Sequence, residues 1–588
     1  MCDSIRHRGP DGAGLFVEGG VALGHRRLSI VDVAHGAQPM ASADGRYQLV
    51  YNGEVYNHPT LMPDLQAQGV TYRTHCDTET VLHLYERVGK ALPSRLRGMF
   101  AIAIWDRAER ELFLVRDRFG VKPVYYAHLD DGSLVFASEI KAILASGEVR
   151  AELNAAALPD FLANYAPSGE ETLYAGIRRL PAGHSLTWRN GAVTIAPYWD
   201  LAFAEGTLDD RSDASLVDEY RERFRDAVRM RLMADVPLGM FLSGGIDSAA
   251  ITAVMSELVD EPIKTFSVAF AEREANELAY ARLVSQRYAT DHHEVVVSPA
   301  EFFGALPRLV WHEDEPIAHP SSIALNFVSR LAAERVKVVL TGEGSDETLA
   351  GYNRYRVTVY NARLGARYER LAPQALRAAV RGGIEALSGR TGLKRKLERT
   401  FLYLPSDLDT IYFDNFAVFG RARQGELLSP ALRERVRAID PYAAHHAALG
   451  RTNARSLLNR LLYADTKTYL QELLMKQDQM SMAASIESRV PFLDHPLVEF
   501  AAALPQRMKL RGVTTKYILR EAMKGALPPE ILSRKKMGFP VPVGAWFAGA
   551  FRHVVDEFVL SSRAATRGLF DMNAVSRMAD QHLRGEQK

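Results

Sequence analysis

The 588 residues suffice for about two to four domains, and 47% apolar, 24% charged and 9% aromatic residues are globular usage, which excludes fibrous, collagenous and wholly disordered classes. Lys plus Arg number 72 against 71 Asp plus Glu, a net charge of +1, so no global field favours nucleic acid or an anionic membrane. Cys2 and Cys76 are too few for a disulfide framework, and no signal core or run of about 18 uncharged apolar residues is present, so a cytoplasmic protein with no membrane span is expected.

From Gly14 to Ser138, short apolar runs at 47–51, 99–105, 111–115, 124–127 and 134–137 are split by Gly, Asn and Asp, which predicts a largely antiparallel sheet. Helical spacing at 58–68 and 78–88 supplies its cover, and this α+β region ends near Trp199. By themselves, Asn52-Gly53 reads as a hairpin turn and Asp77 as a helix N-cap. A polar stretch follows, giving a first domain at 1–200, a linker at 201–214 and a second domain at 215–588. Leu216, Tyr220, Phe224, Val228 and Leu232 then mark a helix with a buried stripe.

Strands at 236–242, 264–270, 293–297 and 336–340 alternate with helices at 249–258, 277–288 and 321–335. This alternation predicts a doubly wound parallel sheet. From Tyr352 onward the pattern is almost entirely helical. The basic stretch 377–399, with Arg390, Lys394, Arg395 and Lys396, is interrupted by Glu385 and Glu398 and carries no interleaved aromatics; it reads as a solvated helical face, with no nucleic-acid partner.

The strand at 236–242 runs into Ser243-Gly244-Gly245-Ile246-Asp247-Ser248, immediately before a helix. Glycines let the backbone approach an anion, and the helix amides favour phosphate there. Asp247 would repel that phosphate without a cation between them, which points to Mg²⁺. A Walker lysine is absent, so γ-phosphate transfer is not required. The strand at 336–340 ends in Thr341-Gly342-Glu343-Gly344-Ser345-Asp346-Glu347, a second acidic, Gly-rich loop. In an open parallel sheet both loops lie at the carboxyl ends of strands, where a nucleotide binds.

These two loops, with Tyr280-Ala281-Arg282, Asp291-His292-His293-Glu294, Asp314-Glu315-Pro316, Ser481-Met482-Ala483, Glu-Ser-Arg-Val-Pro-Phe-Leu-Asp at 487–494 and Lys516 ahead of Leu519-Arg520, resemble the glutamine-dependent asparagine synthetase family. The resemblance implies an ATP pyrophosphatase half that turns a carboxylate into an acyl-adenylate for attack by ammonia, releasing AMP and pyrophosphate. By match, Ser243, Gly244, Gly245, Asp247 and Ser248 hold pyrophosphate, while Leu242, Val268, Thr341 and Gly342 line the adenosine pocket. Asp247 and Asp346 take Mg²⁺. Glu343 orients or deprotonates the amine-side reactants, and Lys516 neutralises phosphoryl charge.

In the first half, His7-Arg8-Gly9-Pro10-Asp11-Gly12, Arg26-Arg27-Leu28-Ser29-Ile30, residues 52–57 and Cys76-Asp77-Thr78-Glu79 resemble the family's glutaminase, an N-terminal-nucleophile hydrolase with stacked antiparallel sheets. By match, Arg27 binds the glutamine carboxylate, Glu54 and Asp77 its ammonium, and Asn52 with Gly53 the oxyanion. The resemblance also implies a nucleophilic Cys on a buried first strand, a few tens of residues before the His-Arg-Gly-Pro-Asp motif. Cys2 stands five positions before His7 and is followed by Asp3, Ser4 and Arg6, so it is expected not to serve; Cys76 has no free α-amine. Both ends of the chain read as shorter than the family pattern. The small-molecule partners implied are ATP, aspartate or another carboxylate (sugar, peptide or β-lactam precursor), and glutamine or ammonia. A homodimer is left open, and a non-catalytic relative is disfavoured by the intact pyrophosphatase residues.

Overall fold

The computed structural model describes residues 1–272, 277–387, 392–536, 538 and 541–586. The chain opens with a short 3-10 helix, Cys2–Arg8, and a hairpin of β1 (Gly12–Glu18) and β2 (Val21–Arg27). A six-stranded antiparallel sheet follows, built from β3 (Met40–Ala41), β4 (Tyr47–Val55), β5 (Gly98–Asp106), β6 (Glu111–Arg116), β10 (His184–Arg189) and β11 (Ala192–Pro197). Its order is β11-β10-β6-β5-β4-β3. The strands β7 (Tyr125–His128), β8 (Leu134–Ala137) and β9 (Arg178–Arg179) form a smaller sheet, ordered β8-β7-β9.

The period-2 alternation of these strands gives the large sheet two apolar faces. One face packs Phe100, Ile102 and Ile104 against Val81, Leu82 and Tyr85 of helix Asp77–Val88. The other packs Ala103, Trp105 and Leu114 against Val124 and Tyr126 of the smaller sheet's side.

Two local expectations are corrected here. Asn52-Gly53 makes no turn: both residues lie inside β4, opposite Ala101 and Phe100 of β5. Gly53 holds φ +142, and a Cβ there would stand 2.0 Å from the Met99 carbonyl oxygen, so the sequence signal for a turn is the mark of a tight strand crossing. Asp77 is no N-cap; Cys76 occupies that position, and the Asp77 carboxylate instead accepts from Tyr51 Oη and Val55 N, both at 2.9 Å.

Residues 201–212 carry no regular structure, yet they are strapped down. Leu201 and Phe203 are buried with Tyr463 and Leu470, and Glu205 accepts from Ser456 Oγ at 2.8 Å and Asn459 Nδ2 at 2.7 Å. Helix Asp213–Met230 then starts on the Ser212 side chain, which accepts from Ser215 N.

The second half is built on five parallel strands in the order β14-β13-β12-β15-β16: β12 (Leu238–Phe241), β13 (Lys264–Phe270), β14 (Asp291–Val297), β15 (Val338–Leu340) and β16 (Glu487–Arg489). The order reverses beside β12, and that switch point is where the two Gly-rich loops emerge. β16 was missed in a region read as helical. It is three residues long and reads Glu-Ser-Arg, so no apolar run announces it, although all three residues are buried.

Of the basic stretch, Arg381 and Lys394 donate to the carbonyls of Tyr403 and Glu385, while Arg390 lies outside the described residues. Among the described residues no helix is long and apolar enough to cross a membrane.

Buried ion pairs tie the two halves together. Arg8, paired within its own half to Glu139 at 3.0 Å, crosses to Asp478 at 2.6 Å, Lys122 reaches Asp478 at 3.4 Å, and Arg97 reaches Asp494 at 2.5 Å. Within the apolar core of the second half, Phe224, fully buried, stacks on Tyr220 at 6.1 Å and on Phe492 at 4.8 Å between centroids. Phe224→Ala is expected to cost about 3–5 kcal/mol, read as a lowered urea midpoint for the second half. A loss under about 1 kcal/mol would show that this stack does not hold the helix to the Pro491–Leu493 turn.

Candidate active sites in two connected halves

β12 ends, and the chain turns through Leu242, Ser243, Gly244 and Gly245 into helix Ile246–Ser256. Gly244 sits at φ +69, and a Cβ there would lie 2.6 Å from Tyr280 Cβ, so only glycine makes this turn under helix Leu278–Arg287. Ser243 and Ser248 hydroxyls meet at 3.1 Å across the loop. Gly245 is the helix N-cap and carries no side chain to occupy the first amides, which therefore stay open to an anion.

The loop after β15 comes against this turn. Gly342 packs so closely on Asp247 that a Cβ would stand 2.9 Å from the Asp247 Cβ. Asp247 Oδ1 accepts from Ser345 Oγ at 2.7 Å. Lys516, only 2% exposed, places Nζ 2.7 Å from both Asp247 oxygens and 2.7 Å from Asp346 Oδ1. Its backbone is held in the left-handed region at φ 52, where it starts helix Tyr517–Ala522. Lys536 Nζ lies 2.7 Å from Asp346 Oδ2 and 4.0 Å from Asp247 Oδ2.

Burial pushes the Asp346 carboxyl up, but the two ammonium groups outweigh it and hold it at about 2. Its neighbour Glu347 goes the other way, to about 8, through burial and the Asp346 charge.

A cavity of about 490 Å³ opens over this floor. Leu242, Ser243, Asp247, Ser248, Val268, Thr341, Gly342, Glu343 and Asp346 line it, as does Lys536; Gly244, Gly245 and Lys516 are not among its lining residues. Phe266, Leu278, Leu325 and Val328 give one end an apolar wall. Among the described residues no cluster of three or more metal-ligating side chains is present. Lys536 was not foreseen; its only sequence signal is the run Arg534-Lys535-Lys536, in which Arg534 also donates to the Gly244 carbonyl at 2.9 Å.

The first half holds a second cavity of about 610 Å³ between β2, β4 and β8. Arg27, Asn52, Gly53, Glu54 and Asp77 all line it. Arg27 donates to the carbonyls of Val31, Asp32 and Val33 at 3.1, 2.7 and 3.0 Å, fixing the loop after β2. Asn52 Nδ2 and Glu54 Oε2 are buried with no hydrogen-bond partner among the described residues, so one donor and one acceptor face the cavity uncompensated. Burial, with the Asp77 charge beside it, raises the Glu54 carboxyl well above the usual range; burial raises Asp77 too.

Both cysteines line this cavity. Cys76 is buried, and burial together with Asp77 pushes its thiol up to about 12. Cys2 lies in the Cys2–Arg8 helix over Gly24 of β2, with its carbonyl accepting from Arg26 Nε at 3.2 Å.

Arg489 of β16 joins the two cavities and was not foreseen as a functional residue. Its Nη2 stands 3.2 Å from Glu54 Oε1, while its carbonyl accepts from Thr341 N at 2.9 Å.

A nucleophile-hydrolase-like sheet pair joined to a doubly wound parallel sheet with a phosphate loop is the architecture of an amidotransferase built from a glutaminase half and a synthetase half. Residues 1–199 match the glutamine amidotransferase domain model, and residues 219–588 match the asparagine synthase model. The chain is 35% identical to asparagine synthetase [glutamine-hydrolyzing] 1 of Bacillus subtilis (strain 168) over 96% of its length and 86% of that protein. It is 31% identical to asparagine synthetase [glutamine-hydrolyzing] 3 of the same organism, over 92% and 83%. It is also 31% identical to amidase chyE of Penicillium rubens, over 97% and 88%. The chain belongs to the asparagine synthetase family and is a ligase.

At neutral pH, iodoacetamide is expected to label Cys2 well before Cys76, read by peptide mass spectrometry. Cys76 labelling in the folded protein at a comparable rate would contradict a buried, protonated thiol.

Proposed function

We propose that this chain makes asparagine from aspartate at the expense of ATP, which is split to AMP and pyrophosphate. The observation that carries the reading is the open anion loop, residues 243–248, backed by the Asp247–Lys516–Asp346 contact with no Walker lysine. An acceptor carboxylate oxygen attacks the α-phosphorus, the bond to the bridging oxygen breaks, and pyrophosphate leaves. Ammonia then attacks the acyl carbon, AMP leaves with the carboxylate oxygen, and the new amide nitrogen loses a proton.

Ser243, Ser248 and the amides around Gly244 and Gly245 receive the leaving pyrophosphate. Leu242, Val268, Thr341 and Gly342 take the adenosine at the apolar end. Lys516, released from its carboxylate pair, neutralises phosphoryl charge as it develops. Glu343, lining the cavity without belonging to the Lys516 pair, takes the amine proton or orients the amine.

The paired carboxylates suit Mg²⁺: Asp247 and Asp346 already share one cation, the Lys516 ammonium, and offer hard oxygen ligands beside the phosphate loop. Bound there, Mg²⁺ supplies charge neutralisation to the polyphosphate.

In the first half, Arg27 takes the glutamine carboxylate, Glu54 and Asp77 its ammonium, and Asn52 with Gly53 the oxyanion. Cys76, buried and with its thiol pushed up, does not suit an amine-activated nucleophile; Cys2 lines the same cavity as the glutamine-site residues. Two free cysteines support a reducing, cytoplasmic setting.

The decisive assay is acceptor-dependent nucleotide turnover: AMP and pyrophosphate are expected, and ADP with orthophosphate would refute the reading. Asp247→Asn and Asp346→Asn are each expected to cut turnover by about a thousandfold or more. Near-normal rates in either would remove the metal assignment.

Arg27→Ala is expected to weaken use of glutamine but not of ammonium, and equal loss with both donors would show that the glutamine site lies elsewhere.

A further inference from the structure

The nucleotide cavity has a polar end that the adenylation chemistry above leaves unassigned. Helix Tyr469–Met482 turns one face toward it, and Tyr469, Leu473, Lys476 and Gln477 all line the cavity, the spacing of a single helix face. Lys476 is 8% exposed, and among the described residues no hydrogen-bond acceptor or ion-pair partner reaches its ammonium. Gln477 is 3% exposed, and its amide Nε2 is buried without a partner. Across the cavity, His319 packs on Tyr165 at 4.3 Å and Tyr469 at 6.2 Å between centroids, with Nε2 equally unpartnered.

Three uncompensated side chains, with an ammonium and an amide donor among them, therefore share one cavity end. A buried ammonium without an acceptor is costly and is sustained where an anion completes it. Lys509, the contrasting case in this chain, is fully buried yet donates to Asn459 Oδ1 at 2.8 Å. Glu313 and Glu472 feel the Lys476 charge, yet neither forms an ion pair with it within 4.0 Å. Burial raises both, Glu472 to about 7.

We infer that Lys476, with Gln477 and His319, binds the carboxylate of the acceptor that is not adenylated, so that the cavity selects a small dicarboxylate amino acid. The inference rests on the adenylation reading above and gives its acceptor a second anchoring point. An acceptor with one carboxylate loses this contact.

The test measures acceptor-dependent pyrophosphate release by wild type, Lys476→Met, Lys476→Arg and Gln477→Leu, with aspartate and with β-alanine, which lacks the α-carboxylate. Lys476→Met is expected to raise the KM for aspartate about ten- to a hundredfold, the loss of a charge-assisted hydrogen bond, with the KM for ATP unchanged. Lys476→Arg should recover part of the loss, and Gln477→Leu should raise the aspartate KM less. β-Alanine should be a poor acceptor for wild type and no worse for Lys476→Met.

An unchanged aspartate KM would overturn the inference, as would a parallel rise in the KM for aspartate and ATP with a lowered Tm. If wild type releases no pyrophosphate with any acceptor, the adenylation reading fails by itself. Aspartate binding by calorimetry then decides: binding lost in Lys476→Met supports the donor set, and absence of binding to wild type overturns it.

Discussion

The Arg489 guanidinium is the point on which the two halves of this molecule close. It is wholly buried, donates through Nε to Glu487 at 2.9 Å and through Nη1 to the carbonyls of Arg231 and Met233, and faces Glu54 of the first half with Nη2. Burial alone would depress its pKa, but Glu54 and Glu487 reverse that and hold the charge in place. Removing one member of such a group strands the others, at a cost of about 3–5 kcal/mol, so the cluster constrains both domains at once. The same residue supplies the carbonyl that pins Thr341, so its backbone sets the nucleotide loop while its side chain sets the glutamine-site carboxylate.

The chemistry of the second half follows from how charge is arranged without a ligand. Asp247 and Asp346 lie close enough to share Lys516, and Lys536 adds a second cation on Asp346. Four charges balance on the floor of a cleft whose loop amides are open, so an arriving polyphosphate with its cation exchanges partners and need not enter an uncompensated field. The opposite end of the cavity is different in kind: Lys476 has no carboxylate in contact, and that asymmetry separates the phosphate floor from the acceptor end.

Much of this was legible in the residues. Apolar runs split by turn residues gave the antiparallel half, and four of five parallel strands followed from alternation with helices. Both Gly-rich loops stood where a doubly wound sheet puts its ligand. What failed to show has physical reasons. The strand Glu487–Arg489 is polar because it carries the interdomain charge cluster, so hydrophobic periodicity is silent there. Asn52-Gly53 mimics a turn because glycine is demanded by close contact with the Met99 carbonyl, a tertiary cause with a local appearance. The roles of Lys476, Lys536 and Arg489 depend on which partners surround them, and a lone lysine or arginine in a sequence carries no trace of that.

In this reaction the acceptor carboxylate itself attacks the α-phosphorus. Aspartate labelled with ¹⁸O in its side-chain carboxylate, turned over with ATP and ammonium, should deliver one labelled oxygen to the phosphate of AMP, resolved by mass spectrometry. Label found in orthophosphate or pyrophosphate, or in no phosphate at all while asparagine forms, would contradict the acyl-adenylate and with it the assignment of the phosphate loop.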